Sequence, residues 1–428
     1  MKRELLVLFA VMLAFVLIGA ASLQGGLVIL ALPLLAYLAS AAHQRPQQPA
    51  KLEVTRKIEP ERAVQGMPVQ VSLKLTNQGE VVEQVCIRDL FSKKIQTEDG
   101  ITSLMAALEP GENLEMAYTI SAFRGTYKDF ETVVQTQEIL DCFEINARYP
   151  NLSHFIIRPE GEQIKPIRIH PPRTHGFAGS LSSRRAGTGV DFFTTREYQA
   201  GDPLRRINWR QSTRADRQIF TNTFEQEQVA DVGIILDERQ RVNLSTASSA
   251  LFEYSVHAAA TLARRFIADG HRVSLLVYGT GRKRVYPGYG KVQEDRILNT
   301  LSSVTPILNF ALSNLNYMPV RFFSPGSQIV MISPLVMEDI AYIKKMLARG
   351  YAVMVLSPDP ISFEAEAYND RSSPAYRLAF AERQLMLHQL SQSGAQVINW
   401  QVHESLETVL QRASVDAHRI LRNIKAGA

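Results

Sequence analysis

The chain has 428 residues, of which 46% are hydrophobic and 21% are charged, and this composition excludes an extensively disordered protein. Its length is sufficient for about two or three domains, each able to bury a core of its own. The 47 Lys and Arg residues exceed the 42 Asp and Glu residues, which gives a formal net charge of +5. This mild excess favours an acidic partner or an anionic surface, and it does not by itself indicate nucleic acid.

Residues 1–45 contain two apolar runs. The first, 5–23, has no charged residue, and the second, 27–42, is interrupted by Pro33. Because the flanking positive charges lie outside the pair, the sequence predicts a transmembrane helical hairpin with both ends in the cytoplasm. The hairpin would bind membrane lipid and hold the other domains at the cytoplasmic (inner) membrane. A signal peptide cleaved near the small residues 19–21 is the alternative.

Residues 51–160 follow a different pattern, in which apolar and polar side chains alternate. The alternation is clearest at 69–76, and turn-forming residues follow at 77–79. Further strands are predicted at 81–87, 114–120 and 132–137. Several short strands at this spacing predict an immunoglobulin-like β-sandwich.

Residues 161–230 form an arginine-rich segment that precedes the main domain. Arginine presents a planar fork suited to carboxylate or phosphate, and it stacks on aromatic rings. Three interpretations stay open: ion pairs with the chain's own acidic residues, a docking surface for an acidic protein, or a nucleic-acid surface. Nucleic acid is the least favoured, because acidic residues are interleaved with the basic ones. The candidate partner-binding residues are Arg196, Tyr198, Asp202, Arg205, Arg206, Trp209 and Arg214.

Strands and helices alternate along residues 231–428. A buried strand at 232–236 precedes an amphipathic helix at 246–268 and a second strand at 272–278. Further strands are predicted at 284–286, 328–332, 351–356 and 396–399, and further helices at 292–303, 310–315, 337–348, 375–392 and 406–424. This order predicts an α/β doubly wound domain, with a mostly parallel sheet covered by helices on both faces.

One long pattern links the arginine-rich segment to the main domain. It reads R-x-Y-x-x-G-D-x-x-R-x-I-x-W-x-x-S-x-R from Arg196 to Arg214, and it leads into a strand that ends at Asp237. The pattern resembles the family called domain of unknown function 58, whose members carry a degenerate von Willebrand factor A domain. The resemblance covers nearly the whole chain and implies that residues 231–428 have this fold.

The resemblance also carries an expectation about function. Proteins of this family are thought to act with MoxR-type AAA+ ATPases in the assembly or maturation of other proteins. It therefore implies a non-enzymatic, membrane-anchored adaptor with two protein partners, an ATPase and an unknown client.

A von Willebrand factor A domain binds Mg²⁺ through a D-x-S-x-S loop. Here the corresponding loop begins at Asp237, and Arg239 and Arg241 occupy the two serine positions. A guanidinium repels a cation, and the later loop 333–335 supplies no further carboxylate. The sequence therefore predicts no metal site and no cofactor, with Asp237 the remaining ligand and paired with arginine.

Two other functions stay open. One is a divalent-metal-dependent ligand-binding or adhesive domain, which the arginines of this loop disfavour. The other is a hydrolase of a type that the sequence does not reveal, since P-loop, H-E-x-x-H and G-x-S-x-G patterns are absent from it.

Overall fold

The computed structural model describes the chain except for short internal ranges and the two ends. The residues left out are 1–2, 23–24, 44–50, 129, 138–143, 152, 168, 170, 175–180, 215–217, 247–248, 280–282, 310–314, 316–317, 369–371 and 414–428. The chain divides into two compact units, Met1–Arg158 and Pro159–Ala428, and each is described by itself.

Two helices open the first unit, α1 (Arg3–Ala21) and α2 (Gly25–His43), and they pack against each other. Each has 19 residues. Across the described part of the chain, no helix is both long and apolar enough to cross a membrane. The prediction of a transmembrane hairpin is therefore wrong.

Eleven strands follow among the described residues of the first unit. They are β1 (Leu52–Glu59), β2 (Arg62–Val64), β3 (Val69–Asn77), β4 (Val82–Leu90), β5 (Ile95–Gly100), β6 (Ser103–Leu108), β7 (Asn113–Ala122), β8 (Gly125–Tyr127), β9 (Phe130–Gln137), β10 (Glu144–Asn151) and β11 (Phe155–Arg158). They form two four-stranded sheets, ordered β1-β3-β7-β5 and β10-β9-β4-β6, and a three-stranded sheet ordered β2-β11-β8.

Buried and exposed side chains alternate along the strands of this unit, and the buried ones form its core. In β3, Val69, Val71, Leu73 and Leu75 are buried while the residues between them face outward. Each strand thus supplies one apolar face to a common core. Residues 140–143, which precede β10, lie outside the described residues.

The second unit contains eight strands and six helices among its described elements. The strands are β12 (Leu181–Glu197), β13 (Phe220–Gln228), β14 (Asp231–Asp237), β15 (Arg272–Tyr278), β16 (Arg284–Gly288), β17 (Gln328–Ile332), β18 (Ala352–Pro358) and β19 (Gln396–Trp400). The helices are α3 (Trp209–Ser212), α4 (Leu251–Ala268), α5 (Gly290–Ser302), α6 (Asp339–Ala348), α7 (Pro360–Tyr368) and α8 (Pro374–Gln392).

A six-stranded sheet, ordered β16-β15-β14-β17-β18-β19, forms the centre of this unit. Its strands are parallel except for the antiparallel edge strand β16. Ile234 and Leu236 of β14 point into the core under α4, whereas Ile235 points into the core under α6. Both faces are therefore covered, and the strand order reverses between β14 and β17. In sheets of this type, that reversal opens a crevice at the carboxyl ends of the strands.

Strands β12 and β13 pair with each other as an antiparallel hairpin outside this sheet. Gly187 and Gly189 lie within β12. The segment that joins the two strands carries most of the predicted partner-binding residues.

Candidate functional site

Three buried polar side chains meet where the strand order reverses. Asp237 ends β14, Ser333 directly follows β17, and Asp339 begins α6. All three are fully buried. The parallel pairing of Leu236 with Ile332 brings the ends of β14 and β17 side by side.

Arg239 fills the space between the two carboxylates. Its Nε and Nη2 donate to Asp237, at 2.9 Å to Oδ1 and 2.6 Å to Oδ2. Its Nη1 and Nη2 donate to Asp339, at 3.1 Å to Oδ1 and 2.8 Å to Oδ2. A guanidinium that is bidentate to each of two carboxylates is a strong, geometrically specific arrangement. The positive charge in this crevice is therefore that of the Arg239 guanidinium.

Burial and ion pairing have opposite effects on the pKa values of this cluster. Burial favours the neutral form of Arg239, but the hydrogen bonds and charges of Asp237 and Asp339 outweigh it and raise the pKa of the guanidinium. Burial raises the pKa of Asp339, while Arg239 acts in the opposite direction. Arg239 therefore stays charged, and its charge stabilises carboxylates that would otherwise be costly to bury.

The loop after β17 is hydrogen-bonded to the same cluster. Ser333 Oγ donates to Asp237 Oδ2 at 2.7 Å and accepts from the backbone N of Leu335 at 3.1 Å. The backbone N of Val336 donates to Asp339 Oδ2 at 3.1 Å. Leu335 has a φ of 62°, a conformation that is rare for a non-glycine residue. These bonds hold the strained loop closed over the cluster.

The predicted pairing of arginine with Asp237 is present for Arg239 and absent for Arg241. Arg241 is partly exposed, and its Nη2 lies 3.8 Å from Oε2 of Glu338. The sequence analysis missed Asp339, because it searched the loop 333–335 and stopped before the helix. The signal was an acidic residue at the start of a helix that follows a central strand.

A second buried arginine, also missed, lies beside this loop. Arg383 of α8 pairs with Asp359 through Nε and Oδ1 at 3.1 Å. Its Nη1 donates to the carbonyl of Pro334 at 2.8 Å, and its Nη2 to Ser357 Oγ at 2.9 Å. Burial lowers the pKa of Arg383 to about 10, which leaves it charged near neutral pH. Two internal arginines thus occupy the carboxyl end of the sheet, one on each side of the loop.

The segment between β12 and β13 begins with an ion pair. Arg196 Nη2 lies 2.7 Å from Asp202 Oδ1, and Asp202 Oδ2 accepts from the backbone N of Gln199 at 3.0 Å. The hydrogen bond from Gln199 and the charge of Arg196 lower the pKa of Asp202. Gly201 has a φ of 110°, which other residues rarely adopt. Two of the candidate residues, Arg196 and Asp202, therefore hold the turn.

Hydrogen bonds tie the rest of the segment to β13. Asn208 donates its backbone N–H to the carbonyl of Phe220 at 2.8 Å, and its side chain caps α3 by accepting from Gln211 N at 3.1 Å. Ser212 Oγ accepts from the backbone N of Phe220 at 2.8 Å. Ile207 is buried and bridges to Thr221. Residues 207–212 are thus bound to β13 by several hydrogen bonds.

Other candidate side chains point outward from this segment. Trp209 is 64% exposed, and the nearby Leu204 is 70% exposed. Arg205 and Arg214 are also exposed, and neither forms an ion pair with a described side chain. We call Leu204, Arg205, Trp209 and Arg214 the Trp209 surface.

The two remaining candidates are less exposed. Tyr198 is half-buried, and its backbone N donates to the carbonyl of Ile219 at 2.7 Å. Arg206 is also half-buried, and its charge acts on Asp202. Both therefore lie beside the turn and strand that support the exposed surface.

Residues 194–360 match the family model described as "Protein of unknown function DUF58". Residues 194–360 are therefore a DUF58 region. The match begins in β12, includes the Trp209 surface and the Arg239 cluster, and ends at the start of α7. The resemblance to the DUF58 family is thereby confirmed, while the likeness to a von Willebrand factor A domain stays a prediction.

Three solved structures are similar to parts of the chain. A FixG-related protein from Vibrio parahaemolyticus is 16% identical, with a TM-score of 0.16, over 26% of this chain and 97% of that one. The cupredoxin domain of amoB from Nitrosocaldus yellowstonii is 12% identical, with a TM-score of 0.20, over 30% of this chain and 99% of that one. An alpha-2-macroglobulin from Escherichia coli is 12% identical, with a TM-score of 0.23, over 32% and 20%. Such low TM-scores carry no argument about function, and none of the curated proteins matches the chain.

Proposed function

We propose that this DUF58 protein is a non-enzymatic adaptor that binds a partner protein through the Trp209 surface. The proposal rests on one observation, which is that the positions of the sequence pattern from Arg196 to Arg214 have two different roles. Some positions of the pattern have a structural role, and the others are exposed without one.

The positions with a structural role hold the segment. Arg196 pairs with Asp202, Gly201 allows the turn, Ile207 is buried, and Ser212 bonds to β13. The exposed positions Arg205, Trp209 and Arg214 make no comparable contact among the described residues. Tryptophan and arginine are the residue types that dominate binding energy at protein interfaces, and a rigid segment loses little entropy on binding.

The filled crevice supports the same proposal. Ligands of doubly wound sheets bind at the position where Arg239 is bonded to Asp237 and Asp339. A divalent cation there would have to displace a guanidinium held by two carboxylates. We therefore place binding on the outer surface of the domain, and no observation favours the metal-dependent or hydrolase alternatives.

The partner we propose is a MoxR-type AAA+ ATPase, acting on a client protein that remains to be found. The charge of the Trp209 surface requires a partner face with carboxylates around an apolar recess. The location of the chain at the cytoplasmic membrane stays a prediction.

Affinity purification of the tagged full-length chain from its own cells tests this proposal. The test variant is Arg205→Glu with Arg214→Glu, which reverses two exposed charges of the surface. The control is Lys344→Glu with Lys345→Glu, which makes the same charge change at exposed positions of α6. Proteins recovered with each variant are quantified by mass spectrometry.

We expect an AAA+ ATPase to be recovered with the wild type and the control and to be lost with the test variant. Equal recovery with both variants would show that the ATPase binds elsewhere, which would contradict the role of the Trp209 surface. Failure to recover any ATPase with the wild type would contradict the choice of partner.

A further inference from the structure

The edge strand β16 carries a second exposed surface, far in sequence from the Trp209 surface. Its side chains alternate, with Val285 buried in the core and Arg284 and Tyr286 facing outward. Tyr286 is 65% exposed, and Tyr289 and Val292, which follow the strand, are 52% and 65% exposed. A large aromatic surface is therefore displayed at the edge of the sheet.

A ladder of aromatic rings holds Tyr286 in place. Its ring centroid lies 5.4 Å from that of Phe322, which in turn lies 5.1 Å from that of Phe323. Phe323 is buried against Gly233 of the central strand β14, where an added Cβ would lie only 2.4 Å from the Phe323 ring. The ladder thus connects the exposed Tyr286 ring to the core, so the ring is presented rigidly.

Positive charge surrounds these rings. The sequence has no Asp or Glu between Asp269 and Glu294. Exposed Arg284, Lys291 and Arg321 lie on or beside the strand and the ladder, and none of them forms an ion pair with a described residue. We call Arg284, Tyr286, Tyr289, Lys291, Val292 and Arg321 the β16 surface.

We propose that the β16 surface binds an acidic segment of a partner protein that also carries apolar side chains. The rigidly held Tyr286, together with Tyr289 and arginine, supplies binding energy, and the cations select carboxylates. Nucleic acid is less favoured because base stacking needs an open ring face, whereas Tyr286 already packs on Phe322 and lies under the Arg284 guanidinium, 5.8 Å from its Cζ. The proposal uses no residue of the Trp209 surface and stands or falls independently of it.

Selection from a random peptide library displayed on phage tests the chemistry of the ligand without assuming a sequence. The full-length chain is the target, and Arg284→Glu with Lys291→Glu is the test variant. Lys344→Glu with Lys345→Glu on α6 again serves as the control for charge. Circular dichroism and the fluorescence of buried Trp400 verify that each protein is folded.

We expect peptides rich in Asp and Glu, with at least one large apolar residue, to be enriched on the wild type and the control. Their affinity should fall about tenfold in the test variant, equivalent to about 1.4 kcal/mol for two lost charge contacts. Tyr286→Ala should weaken the same peptides by a similar factor. Each effect should be absent for peptides that bind elsewhere on the chain.

Four results would overturn the proposal. Enrichment of neutral or basic peptides at this surface would contradict the ligand chemistry. Equal loss of affinity in the control would show a general charge effect. A single-stranded oligonucleotide that competes with the peptides and loses affinity in Tyr286→Ala would identify nucleic acid as the ligand, and recovery of no peptide sensitive to the test variant would remove the site.

Discussion

Replacing Arg239 with Met should destabilise the second unit strongly. The methionine side chain fills much of the volume of arginine but removes the positive charge, so Asp237 and Asp339 are left buried with no cation between them. Removing one partner of a buried ion pair costs about 3–5 kcal/mol. Because domains of this kind have a total stability of about 5–15 kcal/mol, the loss is a large fraction of the whole.

Tryptophan fluorescence can follow this unit alone. The chain has two tryptophans, and Trp400 is 2% exposed whereas Trp209 is on the surface. In a Trp209→Phe background, Trp400 therefore reports the unfolding of the second unit in urea. With a slope of about 2.5 kcal/mol per molar urea, the midpoint of Arg239→Met should fall by about 1–2 M.

Two further variants separate charge from packing. Arg241→Met removes the same guanidinium from a partly exposed position near Glu338, and it should cost less than about 1 kcal/mol. Adding Asp237→Asn and Asp339→Asn to Arg239→Met removes the unpaired charges, and it should recover about 2 kcal/mol or more. Equal midpoints for Arg239→Met and Arg241→Met would refute the account of the cluster, as would a further loss of stability in the triple variant.

Three other predictions concern single side chains. Trp209→Ala should change the free energy of unfolding by less than about 0.5 kcal/mol while it weakens capture of the ATPase, because the ring is exposed; a loss of folding by circular dichroism would show instead that it packs in the core. Gly233→Ala should cost about 1–3 kcal/mol in urea unfolding, since the new Cβ would lie 2.4 Å from the Phe323 ring, and a neutral effect would contradict the rigid ladder. Burial lowers the pKa of His271 below the value of about 6.5 that it has in the unfolded chain. The buried neutral imidazole therefore contributes its full stability above pH 6.5, and this contribution is lost as the pH falls below that value. Wild type should therefore lose up to about 1.4 kcal/mol per pH unit below pH 6.5, and His271→Gln should lose less; identical pH profiles would contradict this.

Local pattern was enough to predict elements whose side chains alternate or repeat. The strand predicted at 69–76 corresponds to β3, and the strand predicted at 328–332 has the same bounds as β17. In each of these strands, the order of apolar residues indicates whether one face or both faces are buried. The helix predicted at 246–268 begins later, at Leu251, and just before it Thr246 N donates to the carbonyl of Ser249 and Ser245 pairs with Ala250.

Other elements were missed or were predicted wrongly. Strand β12 contains arginines and two glycines, and its pairing with β13 gives it a strand conformation that its composition does not indicate. The apolar runs 5–23 and 27–42 predicted spanning helices, but among the described residues neither α1 nor α2 is both long and apolar enough to cross a membrane.

The site was predicted in part for a similar reason. The loop at Asp237 and the arginine at position 239 could be read from the sequence, because a metal-loop pattern places both residues. Asp339 lies 100 residues beyond Arg239, and only the pairing of β14 with β17 brings the two together. Contacts of this range depend on strand order, which no local pattern contains.

The most direct test of the proposed function is site-specific photo-crosslinking in cells. A benzophenone amino acid replaces Trp209 in one full-length variant and Leu378, an exposed residue of α8, in another. If the Trp209 surface docks the partner, irradiation should link an AAA+ ATPase to position 209 and leave position 378 without that product. A crosslink to the ATPase from position 378 alone, or from neither position while other proteins are captured at 209, would contradict the account.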